Sequence, residues 1–230
     1  MHEKTIFHVH SWRCGHAENI SDKAYVEKAV EMGAGEIVFT DHAPFPGNPF
    51  YNRMHMEKLP EYISTLSELK NKFKESIIIK IGLEIEYLPS FENYYHTLLD
   101  MPELDLLLLG QHFFEVSPGS FCFNNDRKSD KEYRLNGIME AQIKGIESGF
   151  FKVIAHPDRC FRDMNFWNPK MEQLSKKFVK AADKHHIILE KNLSSMKKEK
   201  EYWSEFWNLV PTSIGVINGC DAHFLSELSF

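Results

Sequence analysis

Histidine and carboxylate side chains, which can bind metal ions, follow strand-like apolar runs along most of the sequence. The first such motif is His8-Val9-His10 and the last is Asp221-Ala222-His223. The members of the pattern between these two motifs are Asp41, His42, Glu84, His112 and His156. Mixed imidazole and carboxylate ligands suit zinc, iron or manganese, whereas calcium favours a shell of oxygen atoms alone. The pattern therefore predicts a site for several divalent ions where strands converge.

Such a site would favour one kind of chemistry. Several divalent ions held a few ångströms apart can deprotonate water near neutral pH, polarise a phosphoryl oxygen and stabilise the leaving oxygen of an in-line displacement. The residue types and their order therefore predict hydrolysis of a phosphoester.

The elements that must position these residues follow a repeated β–α order. Runs of Ile, Val, Phe and Leu alternate with segments of helical periodicity, which is typical of a parallel sheet built from βα units. After the first strand, the predicted strands cover residues 36–40, 77–85, 104–109, 152–155, 187–190 and 214–218. The first helix is expected to begin after Ser21 and to end at Gly33 or Gly35, and the later helices cover residues 56–73, 91–99, 131–148, 169–185 and 199–209. We therefore expect about seven βα units in one domain that spans residues 1–230.

Strand geometry predicts how the ligands meet. Residues two apart on a strand share a face, so His8 and His10 can turn toward one centre, and the same holds for Asp221 and His223. In a barrel the last strand closes beside the first, which would bring the two ends of the chain together.

The roles of three carboxylate residues leave alternatives open. Glu84 is the predicted bridge between two metals, and Glu86 is its rival because it lies on the same strand face. Asp41 could be a ligand, a cap, or a group that orients a neighbouring imidazole, and we favour the last role.

Bulk properties exclude several classes of protein. The net charge is −6 and the pI is near 6.1, so no general basic field attracts nucleic acid or an anionic membrane. No apolar run reaches the roughly 20 residues of a membrane span, and we expect a cytoplasmic protein without membrane partners. The cysteines Cys14, Cys122, Cys160 and Cys220 form no CxxC pair. We expect reduced thiols, with a metal-binding thiolate as the alternative.

Two long loops, residues 43–55 and 115–130, each follow a predicted ligand-bearing strand end. Loops of this length in a compact domain are commonly functional, so both are predicted pocket walls.

Taken in order, these motifs resemble those of the polymerase and histidinol phosphatase (PHP) superfamily. The matching segments are His8-Val9-His10, Thr40-Asp41-His42, Gly82-Leu83-Glu84, Gly110-Gln111-His112, Ala155-His156-Pro157 and Asp221-Ala222-His223. The chain is most similar to the histidinol-phosphate phosphatase branch, which implies a distorted TIM-like (βα)7 barrel with three metal ions, expected to be zinc, iron or manganese. By resemblance, the three ligand sets are His8, His10, Glu84 and Asp221; Glu84, His112 and His156; and His16, His42 and His223.

The resemblance implies a phosphomonoesterase that hydrolyses L-histidinol phosphate in histidine biosynthesis. Leu189-Glu190-Lys191-Asn192 resembles a Glu-x-Asn stretch of these phosphatases. The alternatives are a relative that acts on nucleotides, nucleic acid or phosphotyrosine protein, and a metal-binding relative without activity. The expected partner is a small phosphorylated substrate, and the oligomeric state is left open.

Arginine side chains are the predicted phosphate anchors, because a guanidinium can bind phosphate through two parallel hydrogen bonds. Arg159, three residues after His156, is our first choice, and Arg13 and Arg162 come next. The leaving oxygen must be stabilised or protonated, and Asp158 and a metal-bound water are the alternatives for that role.

Overall fold

Strands and helices alternate along the chain in the computed structural model, which describes residues 4–198 and 200–230. The strands are β1 (Thr5–Val9), β2 (Glu36–His42), β3 (Ile78–Ile85), β4 (Leu106–Leu109), β5 (Phe113–Ser117), β6 (Ser120–Phe123), β7 (Val153–Ile154), β8 (Ile188–Asn192) and β9 (Val216–Gly219). The helices are α1 (Asp22–Glu31), α2 (Leu59–Lys72), α3 (Glu92–Leu99), α4 (Lys131–Ser148), α5 (Pro169–Lys184), α6 (Leu193–Met196) and α7 (Ser204–Trp207). Among the described helices, none combines the length and hydropathy needed to span a membrane.

Seven of the strands form one sheet in the order β1-β2-β3-β4-β7-β8-β9. The pairs β1–β2, β2–β3, β4–β7 and β7–β8 are parallel. The prediction of seven strands in a parallel sheet is confirmed.

The chain contacts group into two compact units. Unit 1 comprises Met1–Glu84, Thr97–Leu107 and Asn218–Phe230, and unit 2 comprises Ile85–His96 and Leu108–Ile217. The expectation of a single domain over residues 1–230 stays a prediction.

In unit 1, the end of the chain pairs with its beginning. Cys220 N donates to Phe7 O at 2.8 Å, and Ala222 N donates to His8 O at 3.0 Å. Val9 and Ala222 form a parallel bridge. The first and last motifs are therefore neighbours, as the sequence predicts.

The register of β2 and β3 also positions two proposed metal ligands in unit 1. Every residue of β2 is buried, and His42 lies directly opposite Glu84 on β3. Gly82 allows Leu106 to pack closely against β3, because a Cβ atom at position 82 would lie 2.8 Å from Leu106 Cδ2. A larger residue at position 82 would displace Leu106 and disturb the strand that carries Glu84.

Three of the proposed ligands stand at left-handed backbone positions. The φ angles are 72° at His8, 31° at His156 and 51° at Asp221. This conformation costs a non-glycine residue about 1–2 kcal/mol. At His8 it coincides with a register shift between Phe7 and Val9, so a bulge, rather than regular alternation, shapes the His8–His10 segment.

The segment predicted as a long loop over residues 115–130 contains part of a hairpin. The strands β5 and β6 are antiparallel and Phe113 lies opposite Phe123, with ring centroids 4.7 Å apart. Gly119 has a φ of 77°, which suits the tight turn after Pro118. The alternating aromatic residues explain the strands that we did not predict. The other predicted loop, residues 43–55, contains neither helix nor strand.

The last predicted helix, residues 199–209, is much shorter than expected. Glu199 lies outside the described residues, and the observed helix is α7. Trp203 N donates to the Asp158 carboxylate at 2.8 Å instead of entering a helical turn. This contact sets the start of α7.

Candidate functional site

In unit 1, the imidazoles of the first motif lie close to two carboxylates, Glu84 on β3 and Asp221 in the last motif. His8 Nε2 lies 3.5 Å from Glu84 Oε2 and 3.7 Å from Asp221 Oδ1. His10 Nε2 lies 3.7 Å and 3.2 Å from the same two oxygens. All four side chains are buried, so the cluster places several ligand-capable atoms around one buried position.

A second group in unit 1 consists of His16, His42 and His223. One ring nitrogen from each residue lies within 4.8 Å of the others. His42 Nδ1 is also 2.9 Å from Glu84 Oε2. This contact joins the second group to the first through the carboxylate that we predict to be the bridge.

The charge states in unit 1 suit metal binding. Burial lowers the pKa of His42 well below its usual value and lowers the pKa of His223 to about 3. Both imidazoles are therefore neutral near pH 7, which is the form that binds a metal. His223 Nε2 is buried without a hydrogen-bond partner in the described part of the chain. A buried lone pair or N–H of this kind costs free energy unless a ligand satisfies it, so these residues fit a bound cation.

His10 shows the opposite balance. Burial lowers its pKa, but hydrogen bonds with Asp221 and Asp41 raise it, and the net shift is upward. The surrounding carboxylates therefore attract positive charge at this position, and a divalent ion would satisfy the same attraction.

Asp41 lies against His10 and is held by three neighbours. Its Oδ1 is 3.6 Å from His10 Nδ1 and accepts a hydrogen bond from His42 N at 2.9 Å, while Ser11 Oγ donates to its Oδ2. Arg13 Nη1 in turn donates to Ser11 Oγ at 3.2 Å. These contacts suit the predicted role of Asp41 as the group that orients an imidazole.

The predicted substrate anchor Arg13 is buried in an ion pair. Its Nη1 lies 2.8 Å and 3.0 Å from the two oxygens of Asp22, and its guanidinium carbon is 4.9 Å from the Trp12 ring centroid. These contacts hold the guanidinium within unit 1. Its role in substrate binding stays a prediction, and its geometry suits a supporting role through Ser11.

All four cysteines are buried, and none forms a disulfide. Cys14 Sγ is near enough to His10 and His223 to complete a group of three candidate ligands. Burial raises the pKa of its thiol to about 12, and Sγ donates to Ser11 O at 3.2 Å. The neutral thiol is therefore favoured over the thiolate that zinc would bind.

In unit 2, His112 and His156 lie side by side after β4 and β7, with ring centroids 5.1 Å apart. Glu86 is fully buried, and its Oε1 lies 2.8 Å from His112 Nδ1. A carboxylate in this position fixes the tautomer and orientation of a metal-binding imidazole. The geometry thus suits Glu86 to orienting His112. This differs from the bridging role, for which the sequence makes Glu86 the alternative to Glu84.

A cavity of about 120 Å³ in unit 2 is lined by both of these histidines and by polar side chains. The lining residues used below are His112, Asn124, His156, Arg159 and Arg162. The cavity therefore places two of the predicted phosphate anchors beside two of the predicted metal ligands.

Arg159 is held at the cavity by α6 and the end of β8. Its Nε donates to Ser195 Oγ at 3.0 Å, and its Nη2 donates to Ser195 Oγ at 2.9 Å and to Asn192 Oδ1 at 3.1 Å. Asn192 Nδ2 donates to Glu190 Oε2 at 3.3 Å, and His156 N donates to the same oxygen at 3.0 Å. One network therefore connects the Glu-x-Asn stretch, the backbone of His156 and Arg159.

Asp158 faces a different part of unit 2. Its Oδ2 accepts hydrogen bonds from Trp203 N at 2.8 Å and from Trp207 Nε1 at 3.0 Å. Burial raises the pKa of Asp158 to about 6 despite these two bonds. Its role as a leaving-group acid stays a prediction, while its contacts tie α7 to the segment that follows His156.

Sequence reasoning did not foresee two of these contacts. The pairing of Glu86 with His112 had a partial signal, because Glu86 shares a strand face with Glu84. The hydrogen bond from the His156 backbone to Glu190 had none, because it joins elements far apart in the chain.

Comparison with known proteins places the chain in a family. The PHP domain family model matches residues 7–194. The histidinol-phosphatase of Bacillus subtilis is 32% identical over 99% of this chain and 96% of its own length. The probable histidinol-phosphatase of Deinococcus radiodurans is 30% identical over 66% of this chain, which spans 59% of that relative.

A solved structure shows the fold. The histidinol phosphate phosphatase of Lactococcus lactis, complexed with zinc, L-histidinol and phosphate, has a TM-score of 0.77 and 22% identity, with 97% of this chain and 87% of that chain covered. This likeness confirms the predicted distorted βα barrel of PHP type. The chain belongs to the PHP domain family.

Proposed function

We propose that this protein is a metal-dependent phosphomonoesterase that hydrolyses L-histidinol phosphate to L-histidinol and phosphate. The observation that carries the proposal is the cluster of imidazoles and carboxylates around Glu84 in unit 1. The name of the Bacillus subtilis relative, which aligns over 99% of this chain, supports the substrate.

We assign the metal ligands in three sets. The first is His8, His10, Glu84 and Asp221, the second is Glu84, His112 and His156, and the third is His16, His42 and His223. The close approaches in unit 1 support the first and third sets, and the paired imidazoles of unit 2 support the second. Zinc is our first choice among zinc, iron and manganese, because the Lactococcus lactis phosphatase was solved with zinc.

Bound divalent ions would supply a nucleophile from water near neutral pH and would polarise the phosphoryl group. Glu84 holds His42 by a short contact and lies between the two imidazoles of β1. It therefore fixes the relative positions of at least two ligand sets. We assign Glu84 the central catalytic role among the carboxylates.

Arg159 binds the phosphate in this proposal. Its side chain is held by Ser195 and Asn192 at the wall of the cavity, so little conformational freedom is lost when it binds an anion. Arg162 lines the same cavity and is the second anchor. Arg13 is the least suited of the three, because Asp22 already neutralises it.

Asp158 is assigned a supporting role first and an acid role second. Its Oδ2 holds two N–H donors of the Trp203 to Trp207 segment. If it also protonates the leaving oxygen, its second oxygen must do so.

The test is turnover together with metal content. We expect the purified protein to hydrolyse L-histidinol phosphate faster than nucleotides, oligonucleotides or a phosphotyrosine peptide, and to lose activity with a chelator. His8→Ala and His156→Ala should lose activity, while His55→Ala should keep it because His55 is exposed and lies outside the cluster. Activity that survives chelation, or full activity in both ligand variants, would refute the mechanism.

Other outcomes of the same panel would redirect the proposal. Faster turnover of a nucleotide or a phosphotyrosine peptide would replace the substrate and keep the chemistry. Bound metal with no turnover on any substrate would favour a binding protein. The cytoplasmic location and the absence of nucleic-acid or membrane partners remain predictions.

A further inference from the structure

One buried amide in the unit 2 cavity has no hydrogen bond of its own. Asn124 is only 9% exposed and lines the cavity beside His112, His156 and Arg159. Its backbone N donates to His112 O at 2.9 Å. Within the described part of the chain, its side-chain amide makes no hydrogen bond. The amide is therefore open to a ligand in the cavity, and a hydrogen bond to a charged ligand would stabilise that complex.

A second residue holds Asn124 in this position. Arg134, on α4, is buried, and its Nε donates to Asn124 O at 3.0 Å. Its Nη1 donates to Asp126 O at 2.7 Å and to Ser129 O, and its Nη2 pairs with Asp163. The guanidinium thus fastens three carbonyl groups of one loop at once.

The same guanidinium also contacts a residue next to Arg162 in the chain. Asp163, which pairs with Arg134, directly follows Arg162, a lining residue. A planar guanidinium with several donors is suited to fixing two segments at once. Arg134 therefore fixes both Asn124 and the segment of Arg162.

The lining defines the ligand class. Arg159 and Arg162 are cationic, Asn124 and Gln142 are neutral amides, and no described lining residue is a carboxylate. Such a lining favours an anion with several acceptor oxygens, and phosphate has this character. The amide Nδ2 can donate to such an anion, whereas the amide oxygen can only accept a hydrogen bond and would repel it.

We propose that Asn124 is a substrate-binding residue whose Nδ2 donates a hydrogen bond to a phosphate oxygen, and that Arg134 is the positioning residue that keeps it there. The inference rests on the proposed function, because it identifies the phosphate as that of the substrate. It adds to that function a donor from the loop between β6 and α4, which is separate from the arginines.

The test uses Asn124→Asp, Asn124→Ala and, as a matched control, Asn136→Asp. Asn136 lies on α4, and its amide already donates to Glu132 O at 2.7 Å. Inorganic phosphate is the probe, and its dissociation constant is measured by calorimetry on the metal-loaded protein. We expect Asn124→Asp to weaken phosphate binding about 10- to 100-fold, since it replaces a donor to a charged group by a like charge. Asn124→Ala should weaken it less, and Asn136→Asp should not change it.

Metal content and thermal unfolding are measured on the same samples. Phosphate affinity within about twofold of wild type in both Asn124 variants would overturn the inference, as would failure of the wild-type protein to bind phosphate. A loss of metal in Asn124→Asp equal to its loss of phosphate affinity would also overturn it, because the effect would then come from the metal site.

Arg134→Lys tests the positioning role through steady-state kinetics. Lysine keeps the charge but cannot reach the carbonyls of Asn124, Asp126 and Ser129 together. We expect KM for L-histidinol phosphate to rise several-fold with little change in kcat, and the double variant with Asn124→Ala to show no further rise. A rise in KM that simply multiplies with that of Asn124→Ala would overturn the positioning role.

Failure of the proposed function leaves a different signature. If the wild-type protein binds phosphate through Asn124 but does not hydrolyse L-histidinol phosphate, the substrate proposal falls and the inference stands. If the wild-type protein hydrolyses L-histidinol phosphate and the Asn124 variants are unchanged, the inference falls and the function stands.

Discussion

The cluster in unit 1 and the cavity in unit 2 both contain imidazoles, but their charged groups have opposite signs. In unit 1, buried imidazoles surround Glu84 and Asp221, and the buried Arg13 is neutralised by Asp22. In unit 2, guanidinium and amide groups line the cavity beside His112 and His156, with no acidic side chain among its described lining residues. The first set suits cations and the second suits an anion. Substitutions in the two regions should therefore separate metal binding from phosphate binding.

The largest effect is expected from Glu84→Gln. The neutral amide cannot replace the carboxylate that contacts His8, His10 and His42. Loss of metal removes several kcal/mol of transition-state stabilisation, which corresponds to about a thousandfold in rate. Activity and metal content, measured by elemental analysis, should fall together.

Glu57→Gln is the matched control, because Glu57 is an exposed carboxylate in the same unit. It should keep its metal and its activity. Full metal content and wild-type activity in Glu84→Gln would contradict the proposal that Glu84 binds metal in unit 1.

The next effect is expected from Arg159→Lys in unit 2. Lysine loses the planar fork that Ser195 and Asn192 hold in place. We expect kcat/KM to fall about 10- to 100-fold, mainly through KM, with metal content unchanged. If the variant instead loses metal, the two regions do not divide the tasks as proposed.

A smaller effect is expected from the carboxylates that orient imidazoles. Glu86→Gln, beside His112, and Asp41→Asn, beside His10, keep an acceptor but lose the charge. Groups in such positions contribute about 10-fold or more to metal affinity. Competition with a chromophoric chelator measures that affinity. Unchanged affinity in both variants would show that Glu86 and Asp41 do not contribute to metal binding.

Only part of this arrangement could be predicted from sequence. The positions of His8, Glu84 and His156 after apolar runs carry a periodic signal, because strands place ligands at regular places. The contact of Arg134 with three carbonyl groups carries no such signal, because any residue type supplies a carbonyl. It depends on the packing of α4 against a loop, which propensity does not encode.

The hairpin of unit 2 shows a related limit. Pro118 and Gly119 predict a turn, but the polar run at residues 124–126 favours a loop over the whole segment. Its strands are set by the contact of Phe113 with Phe123. Such cross-strand packing becomes visible only when the partner strand is known.

The smallest effect is expected from Asp105, a carboxylate that should affect folding stability without affecting metal or phosphate binding. Burial would raise the pKa of Asp105, but the hydrogen bond from Ile81 N at 2.9 Å and the ammonium groups of Lys80 and Lys70 lower it overall. A lowered pKa stabilises the folded state above about pH 4, and this stabilisation is lost as the pH falls and the carboxylate is protonated.

Asp105→Asn should therefore destabilise unit 1 by about 1 kcal/mol at pH 7, with phosphate and metal affinity unchanged. Urea unfolding at several pH values measures the difference, which should shrink below about pH 4. A difference that stays constant with pH would show that the carboxylate charge is not its source.

The left-handed backbone at His8, His156 and Asp221 has a consequence for engineering. Glycine adopts this conformation with little penalty, so the chain accepts a less stable backbone in order to carry reactive side chains there. This is a trade-off between stability and activity. Glycine at position 156 would relieve the backbone strain but would remove the imidazole, so the strain and the proposed metal ligand cannot be separated by this substitution.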